Sequence, residues 1–215
     1  MKHAKLAIAA IAALAGAYAP GAFADDFSQW EVRGRVVRVD TAGKSDAIGA
    51  LGLPSDVIVV QSKTIPEVDI SYFFTKNISA ELVLTYPQKM DVAINAAGIG
   101  HIGTVSVLPP DIMGQWHFLP DSAFDPYAGA GVNITWLTDV DLRAPAVLPL
   151  NLDTSKISVG PVLQVGMDYK ITRNWVVNAD VKKEWMGFDL RALGNKVSTL
   201  TVDPWLFSLG FGYKF

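Results

Sequence analysis

Residues 205–215, WLFSLGFGYKF, alternate strictly between two kinds of side chain. The odd positions, Trp205 to Phe215, are all large and apolar, whereas the even positions include Ser208, two glycines and Lys214. Successive side chains of a β-strand point to opposite faces, so this period of two predicts a strand with one apolar face.

The same alternation recurs along the chain, in segments separated by turn-forming residues. It predicts eight strands, at 30–39, 65–74, 78–86, 104–118, 126–137, 158–171, 175–188 and 200–215. An all-β chain of this kind, in which each strand neighbours the next, predicts an eight-stranded antiparallel up-and-down transmembrane β-barrel.

The predicted connections alternate in length. Residues 75–77 and 172–174 are tight turns and 119–125 is a moderately short one, whereas 40–64, 87–103, 138–157 and 189–199 are long. Short turns at one end and long loops at the other are typical of outer-membrane barrels, with the short turns in the periplasm.

Composition narrows the class of protein further. Hydrophobic residues make up 50% of the chain and charged residues 18%, compared with roughly 25% charged residues in soluble domains. After the N-terminal segment, no apolar stretch approaches the roughly 18 residues of a transmembrane helix. Apolar residues spread by alternation instead favour strands that face lipid on one side.

Two further features exclude classes of function. The sequence has no cysteine, which excludes disulfides, thiol catalysis and cysteine-bound metals. The formal net charge is −3, and no basic cluster is present, so we expect no nucleic-acid partner.

The first 24 residues have the pattern of a secretion signal. Lys2 and Lys5 precede an apolar run at 6–17, and Ala22-Phe23-Ala24 forms a small-x-small cleavage motif. The run is shorter than the about 20 residues that span a bilayer. We therefore expect residues 1–24 to be a cleaved signal peptide and residues 25–215 to form the barrel domain.

Alternation alone does not show which face of the barrel points outwards, because a soluble lipocalin-like barrel would place its apolar face inside. In the predicted topology, aromatic side chains of the apolar face fall at two heights, as expected for rings at two lipid headgroup levels. The periplasmic set is Phe74, Trp116, Phe118, Tyr169, Trp175, Tyr213 and Phe215, and the outer set is Tyr86, Trp136, Trp185 and Trp205. This sorting favours a membrane barrel.

The polar face carries charges of both signs on neighbouring strands. Arg33 and Arg35 can lie beside Glu67 and Asp69, because the first two predicted strands are adjacent. The interior of an eight-stranded barrel is only just wide enough for its own side chains. We predict that these four residues form a plug in the lower lumen; the alternative is a polar pore lined by the same charges.

In the outer half of the barrel the lumen-side positions become apolar. These positions are Ile65, Val105, Val107, Leu137, Met186, Leu200 and Val202. One interpretation is an apolar chamber that forms a substrate pathway. The other is that nearby prolines sit at bulges, where a shift of one residue would turn the same side chains towards lipid.

Prolines also interrupt the predicted strands. Pro109 and Pro110 lie within 104–118, and Pro204 lies within 200–215. Proline cannot donate a ladder hydrogen bond, and lipid does not tolerate unpaired backbone groups. One resolution is a local interruption of the wall that is lined by protein and usable by a ligand.

Several motifs resemble those of the OmpW family of outer-membrane proteins, which are small eight-stranded barrels. They are Leu108-Pro109-Pro110, Gln115-Trp116-His117-Phe118, PYAGAG at 126–131, GMDY at 166–169, Asn174-Trp175, DPW at 203–205 and GYKF at 212–215. Their order and spacing agree with the family over nearly the whole chain after the signal.

The resemblance implies a protein of the cell outer membrane that allows passive uptake of small hydrophobic molecules. In the family, solute enters an apolar extracellular chamber and leaves sideways through the barrel wall. The implied partners are outer-membrane lipid, small hydrophobic solutes and the outer-membrane assembly machinery, whose signal the terminal Phe215 resembles. The long loops are individual, so the solute itself is not implied.

We predict no enzymatic activity, and we expect no catalytic residues, metal or cofactor. Some eight-stranded outer-membrane barrels modify lipid A with a serine, a histidine and an acid. After the signal, this chain has only His101 and His117, and nothing in the sequence places His101 with Ser106 and Asp111. The alternative function is a structural or recognition barrel whose long loops bind a phage or a host surface.

Overall fold

A computed structural model describes residues 28–47, 54–95, 100–142, 152–192 and 195–215. The predicted signal peptide, residues 1–24, lies outside the described residues. Within the described ranges, no helix is long and apolar enough to cross a membrane.

The regular elements of the described chain are β-strands. In chain order they are β1 (Trp30–Asp40), β2 (Lys44–Ser45), β3 (Ile58–Val60), β4 (Lys63–Phe73), β5 (Ile78–Leu84), β6 (Gln88–Ile94), β7 (Gly100–Leu108), β8 (Asp111–His117), β9 (Phe124–Leu142), β10 (Leu152–Thr154), β11 (Ile157–Lys170), β12 (Trp175–Glu184), β13 (Gly187–Ala192), β14 (Asn195–Thr201) and β15 (Trp205–Lys214).

Eight of these strands close into an antiparallel barrel. They follow one another around the wall as β1, β4, β5, β8, β9, β11, β12 and β15, and β15 pairs with β1 again. The all-β, eight-stranded barrel predicted from the alternation of side chains is therefore confirmed.

One end of the barrel, here called the turn end, is closed by tight turns built in the same way. The Thr75 and Thr172 hydroxyls accept hydrogen bonds from the backbone N–H groups of Ile78 and Trp175, each at 3.0 Å. Asn174, in the second turn, donates through its side chain to the Lys214 carbonyl at 2.7 Å. These short loops hold neighbouring strands in register, and the opposite end is called the loop end.

At the loop end, the four long connections predicted as loops prove to contain strands, so that prediction was wrong in part. β6 pairs with β7 and β3, which extends the sheet above the barrel, while β2, β10, β13 and β14 form a separate sheet. The partners are distant in sequence, as in the pairing of Ser45 with Leu200. Strands of two or three residues are too short to show alternation by themselves.

Three predicted strands are each divided in two. Segment 104–118 breaks at Pro109 and Pro110 into β7 and β8, segment 175–188 breaks at 185–186, and segment 200–215 breaks at 202–204. The prolines at the first and third breaks supply no N–H for a ladder. Above the breaks, β7 pairs with β6 and with the upper part of β9, while β13 and β14 pair with each other in the separate sheet.

The apolar face points outwards. Of the eleven aromatic side chains predicted to form two belts, ten are exposed, and Tyr213 is half-buried between Trp175 and Phe215, with ring centroids 5.0 and 4.9 Å away. Charged side chains such as Arg33 are instead fully buried in the lumen. This arrangement is the reverse of a soluble lipocalin-like barrel and fits strands that face lipid.

Candidate functional site

Arg33 forms one centre of a buried ion-pair network in the lumen. Its guanidinium lies 2.8 Å from Glu31, 2.7 Å from Glu81 and 2.8 Å from Asp168. It also lies 5.6 Å from the centre of the Tyr127 ring. All three carboxylates are fully buried. Their desolvation is compensated by the opposite charge of Arg33 and by its directed hydrogen bonds.

Arg35 forms the second centre, one layer nearer the loop end. Its guanidinium pairs with Asp69 and Asp180 and lies 3.3 Å from Glu67. The Lys182 ammonium binds the same Glu67 carboxylate at 2.9 Å. Together the two arginines connect side chains from five strands of the wall, and we call this cluster the plug.

All four residues predicted for the plug lie in this cluster, although the pairing is less local than expected. Glu67 and Asp69 both form ion pairs with Arg35. Arg33 instead forms ion pairs with Glu81 and Asp168 on other strands. The sequence indicates that these residues share the polar face. Their partners across the lumen follow only from closure of the barrel.

Glycines on β15 provide the space that the arginines occupy. Gly212 is the strand partner of Arg33, and Gly210 is the partner of Arg35. A Cβ atom on Gly212 would lie 2.5 Å from the Glu31 carboxylate and 3.0 Å from Cγ of Arg33. Any side chain here would displace part of the plug.

Ser79, His117 and Asp125 form a hydrogen-bonded series at the turn end. The His117 ring contacts Asp125 at 3.0 Å and the Ser79 hydroxyl at 3.4 Å. The order of groups resembles a serine hydrolase triad. However, the Ser79 hydroxyl donates to Gln115 at 2.9 Å, and all three side chains are buried. Sequence reasoning missed this series, because its three residues come together only when the strands pair. Its geometry supports closure of the lumen.

Above the plug, the loop-end half of the barrel contains an apolar cavity, here called the chamber. The empty space inside it, together with the solvent at its open mouth, is about 870 Å³. Part of its lining belongs to a buried apolar cluster that includes Met90, Phe188 and Leu190 from the short outer strands. The outer strands therefore extend the chamber beyond the barrel itself.

All seven residues of the predicted substrate pathway line the chamber. They are Ile65, Val105, Val107, Leu137, Met186, Leu200 and Val202. A register shift does occur between Ser106 and Val107, as the alternative interpretation required. It does not turn the side chains of Val105 and Val107 towards lipid, because both remain on the chamber lining.

The wall of the chamber is interrupted between β4 and the segment from β5 to β6. Val60 pairs with Val92 above the interruption, and Val68 pairs with Leu84 below it, in the same register. Residues 62–67 and 85–90, all described, have no strand pairing between them. We call this interruption the wall gap.

Prolines border the wall gap on both edges. Pro66 lies on β4, and Pro87 lies opposite, between β5 and β6. Proline has no N–H group. A proline at the edge of the gap therefore reduces the number of backbone donors that lack a partner there. Sequence reasoning overlooked these two prolines, although they lie at predicted strand ends.

The predicted wall interruptions differ in their surroundings. Pro109 and Pro110 border a second interruption, on the other side of the β5–β6 segment, because strand pairing to that segment stops at Asp111 and resumes at Val107. Backbone bonds instead continue across Pro204, whose carbonyl accepts from Glu184 N–H at 3.2 Å. The ladder is therefore broken beside Pro109 and Pro110, whereas Pro204 marks the start of an intact strand.

The terminal Phe215 lies at the turn end with its ring exposed. Its N–H group donates to the Trp30 carbonyl at 2.9 Å, which closes the barrel between β15 and β1. Its role as an assembly signal stays a prediction.

Comparison with known proteins agrees with this architecture. The sequence model of the OmpW family matches residues 28–215. Outer membrane protein W of Escherichia coli K12 is 34% identical and covers 98% of this chain and 99% of its own length. The outer-membrane protein y4mB of Sinorhizobium fredii is 37% identical and covers 87% of this chain and 80% of its own length.

A solved structure shows the same fold. The crystal structure of the outer membrane protein OprG from Pseudomonas aeruginosa superposes with a TM-score of 0.73 at 27% identity, and it covers 87% of this chain and 96% of that chain. The family and the fold are those of outer-membrane barrel proteins and not of known enzymes.

Replacement of Arg33 by methionine is expected to lower the free energy of unfolding by about 3–5 kcal/mol, because it leaves buried carboxylates without a cation. Arg38→Met on the same strand is the control, since Arg38 is half-exposed and pairs with the half-exposed Asp40; it should cost less than about 1 kcal/mol. Urea unfolding of the barrel in lipid vesicles measures both values. Equal losses for the two variants would contradict the role of the plug.

The space at Gly212 gives a second prediction. Gly212→Val should destabilise the barrel by about 1–3 kcal/mol through overpacking against the plug. Gly34→Val is the matched control, because no atom lies within 4 Å of a Cβ at this position. The same unfolding assay compares the two variants. Equal free energies of unfolding would show that the lumen can hold a larger side chain at position 212, which would contradict the prediction.

Proposed function

Since this chain belongs to the OmpW family, we propose that it is an outer-membrane channel for the passive uptake of small hydrophobic molecules. Solute enters the chamber from the loop end and leaves sideways through the wall gap into the bilayer. In outer-membrane barrels the long connections face the cell exterior and the short turns face the periplasm. The chamber therefore opens on the side from which an external solute arrives.

The observation that carries this proposal is the position of the chamber between the plug and the wall gap. Ile65 and Glu67 on one edge of the gap, and Thr85 and Gln88 on the other, all line the chamber. A molecule in the chamber is thus adjacent to the interrupted part of the wall. The chamber and the route towards lipid are formed by the same residues.

The plug supports a lateral route over a straight one. The side chains of Arg33, Arg35 and Lys182 are fully buried, and each forms an ion pair with a carboxylate from another strand. Passage of an apolar molecule would require these charges to separate in a medium of low polarity, which is costly. The interrupted ladder of the wall has fewer bonds to break.

A bulky side chain in the chamber tests the proposal. Leu137→Trp is expected to reduce uptake of n-octane to the rate of cells without the protein, because the indole fills the chamber. Val132→Trp, on the same strand but facing outwards, should leave uptake unchanged. Uptake is measured in a Gram-negative host that lacks its own family member, with a sugar as the polar control solute.

Both variants must first show a folded barrel by their gel shift on heating. Rapid n-octane uptake through a folded Leu137→Trp barrel would remove the chamber from the route. Equal stimulation of sugar and n-octane uptake by the unaltered protein would instead indicate an aqueous pore.

The wall gap gives a separate prediction. Pro66→Ala combined with Pro87→Ala restores two N–H groups, so that the ladder between β4 and β6 can close. Octane uptake should fall, whereas binding of n-octane to the purified protein is retained. Pro161→Ala is the control, because Pro161 lies in a barrel strand whose pairing with β9 is continuous. Unchanged uptake by the double variant would place the exit elsewhere.

A further inference from the structure

The buried interior of the described chain contains more acidic than basic side chains. Two arginines, one lysine and one histidine are buried there. They accompany nine buried carboxyl groups, which are Glu31, Glu67, Asp69, Glu81, Asp111, Asp125, Asp168, Asp180 and Glu184. In a low-dielectric interior such an excess is offset either by protonation of a carboxyl group or by a further cation.

The excess is concentrated at the floor of the chamber. Seven of the nine carboxyl groups have an arginine, lysine or histidine within ion-pair distance. The remaining two are Asp111 and Glu184, which lie beside each other. Asp111 also receives a hydrogen bond of 2.6 Å from the Asn133 amide. Within the described ranges no basic group forms an ion pair with Glu184.

Glu184 also faces the chamber. Its side chain is among the chamber lining and is only 2% exposed. Among the described residues, the chamber lining contains Glu67 and Glu184 but no lysine, arginine or histidine. Its other polar members are hydroxyl and amide side chains, Thr41, Thr85, Gln88, Thr135 and Thr154. The chamber is therefore an apolar space whose ionisable groups are all acidic.

From this geometry we infer that the chamber binds small molecules that combine an apolar body with one ammonium group. The apolar body occupies the upper chamber, and the ammonium lies against Glu184, whose neighbour Asp111 is not part of the chamber lining. It supplies the cation that this carboxyl pair lacks, and its three N–H donors match the carboxylate oxygens. The inference deepens the proposed function and rests on it, since it names the solute class of the same chamber.

Glu67 does not serve the same purpose. Its carboxylate is bound by the Lys182 ammonium at 2.9 Å and lies 3.3 Å from the Arg35 guanidinium. A ligand ammonium would compete with two resident cations there. Glu184 is therefore the group that distinguishes this site, and Glu184→Gln keeps the shape of its side chain.

The experiment compares three probes of equal chain length, n-octylamine, n-octanol and octanoate. Calorimetric titration is performed on the full barrel in nanodiscs of uncharged, zwitterionic phosphatidylcholine. The control variant is Asp91→Asn, which removes the same formal charge from a half-exposed site outside the chamber.

We expect the unaltered protein to bind n-octylamine about tenfold more tightly than n-octanol, as a hydrogen bond to a charged group would give. Octanoate should bind most weakly. Glu184→Gln should abolish the preference for the amine and leave the affinity for n-octanol unchanged, whereas Asp91→Asn should preserve both affinities.

Equal binding of amine and alcohol by the unaltered protein would overturn the inference while leaving the proposed function intact. It would mean that Glu184 and Asp111 share a proton and form a neutral floor. An amine preference that persists in Glu184→Gln would overturn it as well. Failure of n-octanol itself to bind would instead contradict the proposed function, because the chamber would then hold no apolar solute.

Discussion

The interior of an eight-stranded barrel has room only for side chains of its own wall, and here Arg33 and Arg35 dominate that space. In the strand register, each arginine lies between a glycine of β15 and an acidic residue of β4. Arg33 is opposite Gly212 and Asp69, and Arg35 is opposite Gly210 and Glu67. The glycines provide volume, and the carboxylates provide charge. The resulting network joins strands across the lumen and closes it, so every other functional feature lies above this layer or beside it.

The chamber and the wall gap follow from this closure. A lumen closed by ion pairs offers an apolar molecule no straight passage, whereas the loop-end half has an apolar lining and an interrupted wall. Unpaired backbone facing lipid is costly, and proline reduces this cost because it has no N–H group to leave unpaired. Pro66 and Pro87 border the wall gap, and Pro109 and Pro110 border the neighbouring interruption between the β5–β6 segment and β7–β8. The lower half of the barrel thereby has continuous pairing and a lumen filled by ion pairs, and the upper half has an interrupted wall.

The sequence predicts the barrel well because period-two alternation is a local signal. It identified the lumen-facing plug residues, the outward aromatic belts and the seven apolar positions that line the chamber. It did not predict which carboxylate each arginine binds, since Glu81 and Asp168 reach Arg33 only when the sheet closes. It also missed β6, which lies within the predicted loop 87–103, and the short strands β2, β3 and β10. The short strands have too few residues for alternation and depend on distant partners. The wall gap was not predicted for a similar reason. Whether β4 and β6 pair depends on both segments together, and the sequence of one segment does not show it.

The central claim is that an apolar solute occupies the chamber and leaves through the wall gap. The most direct measurement is a crystal structure of the protein soaked with 1-bromooctane, in which the anomalous signal of bromine locates the solute. The account predicts bromine within the chamber, near Ile65 and Val107, and between the two edges of the wall gap. Bromine confined to the lipid-facing surface, with none in the chamber, would contradict it.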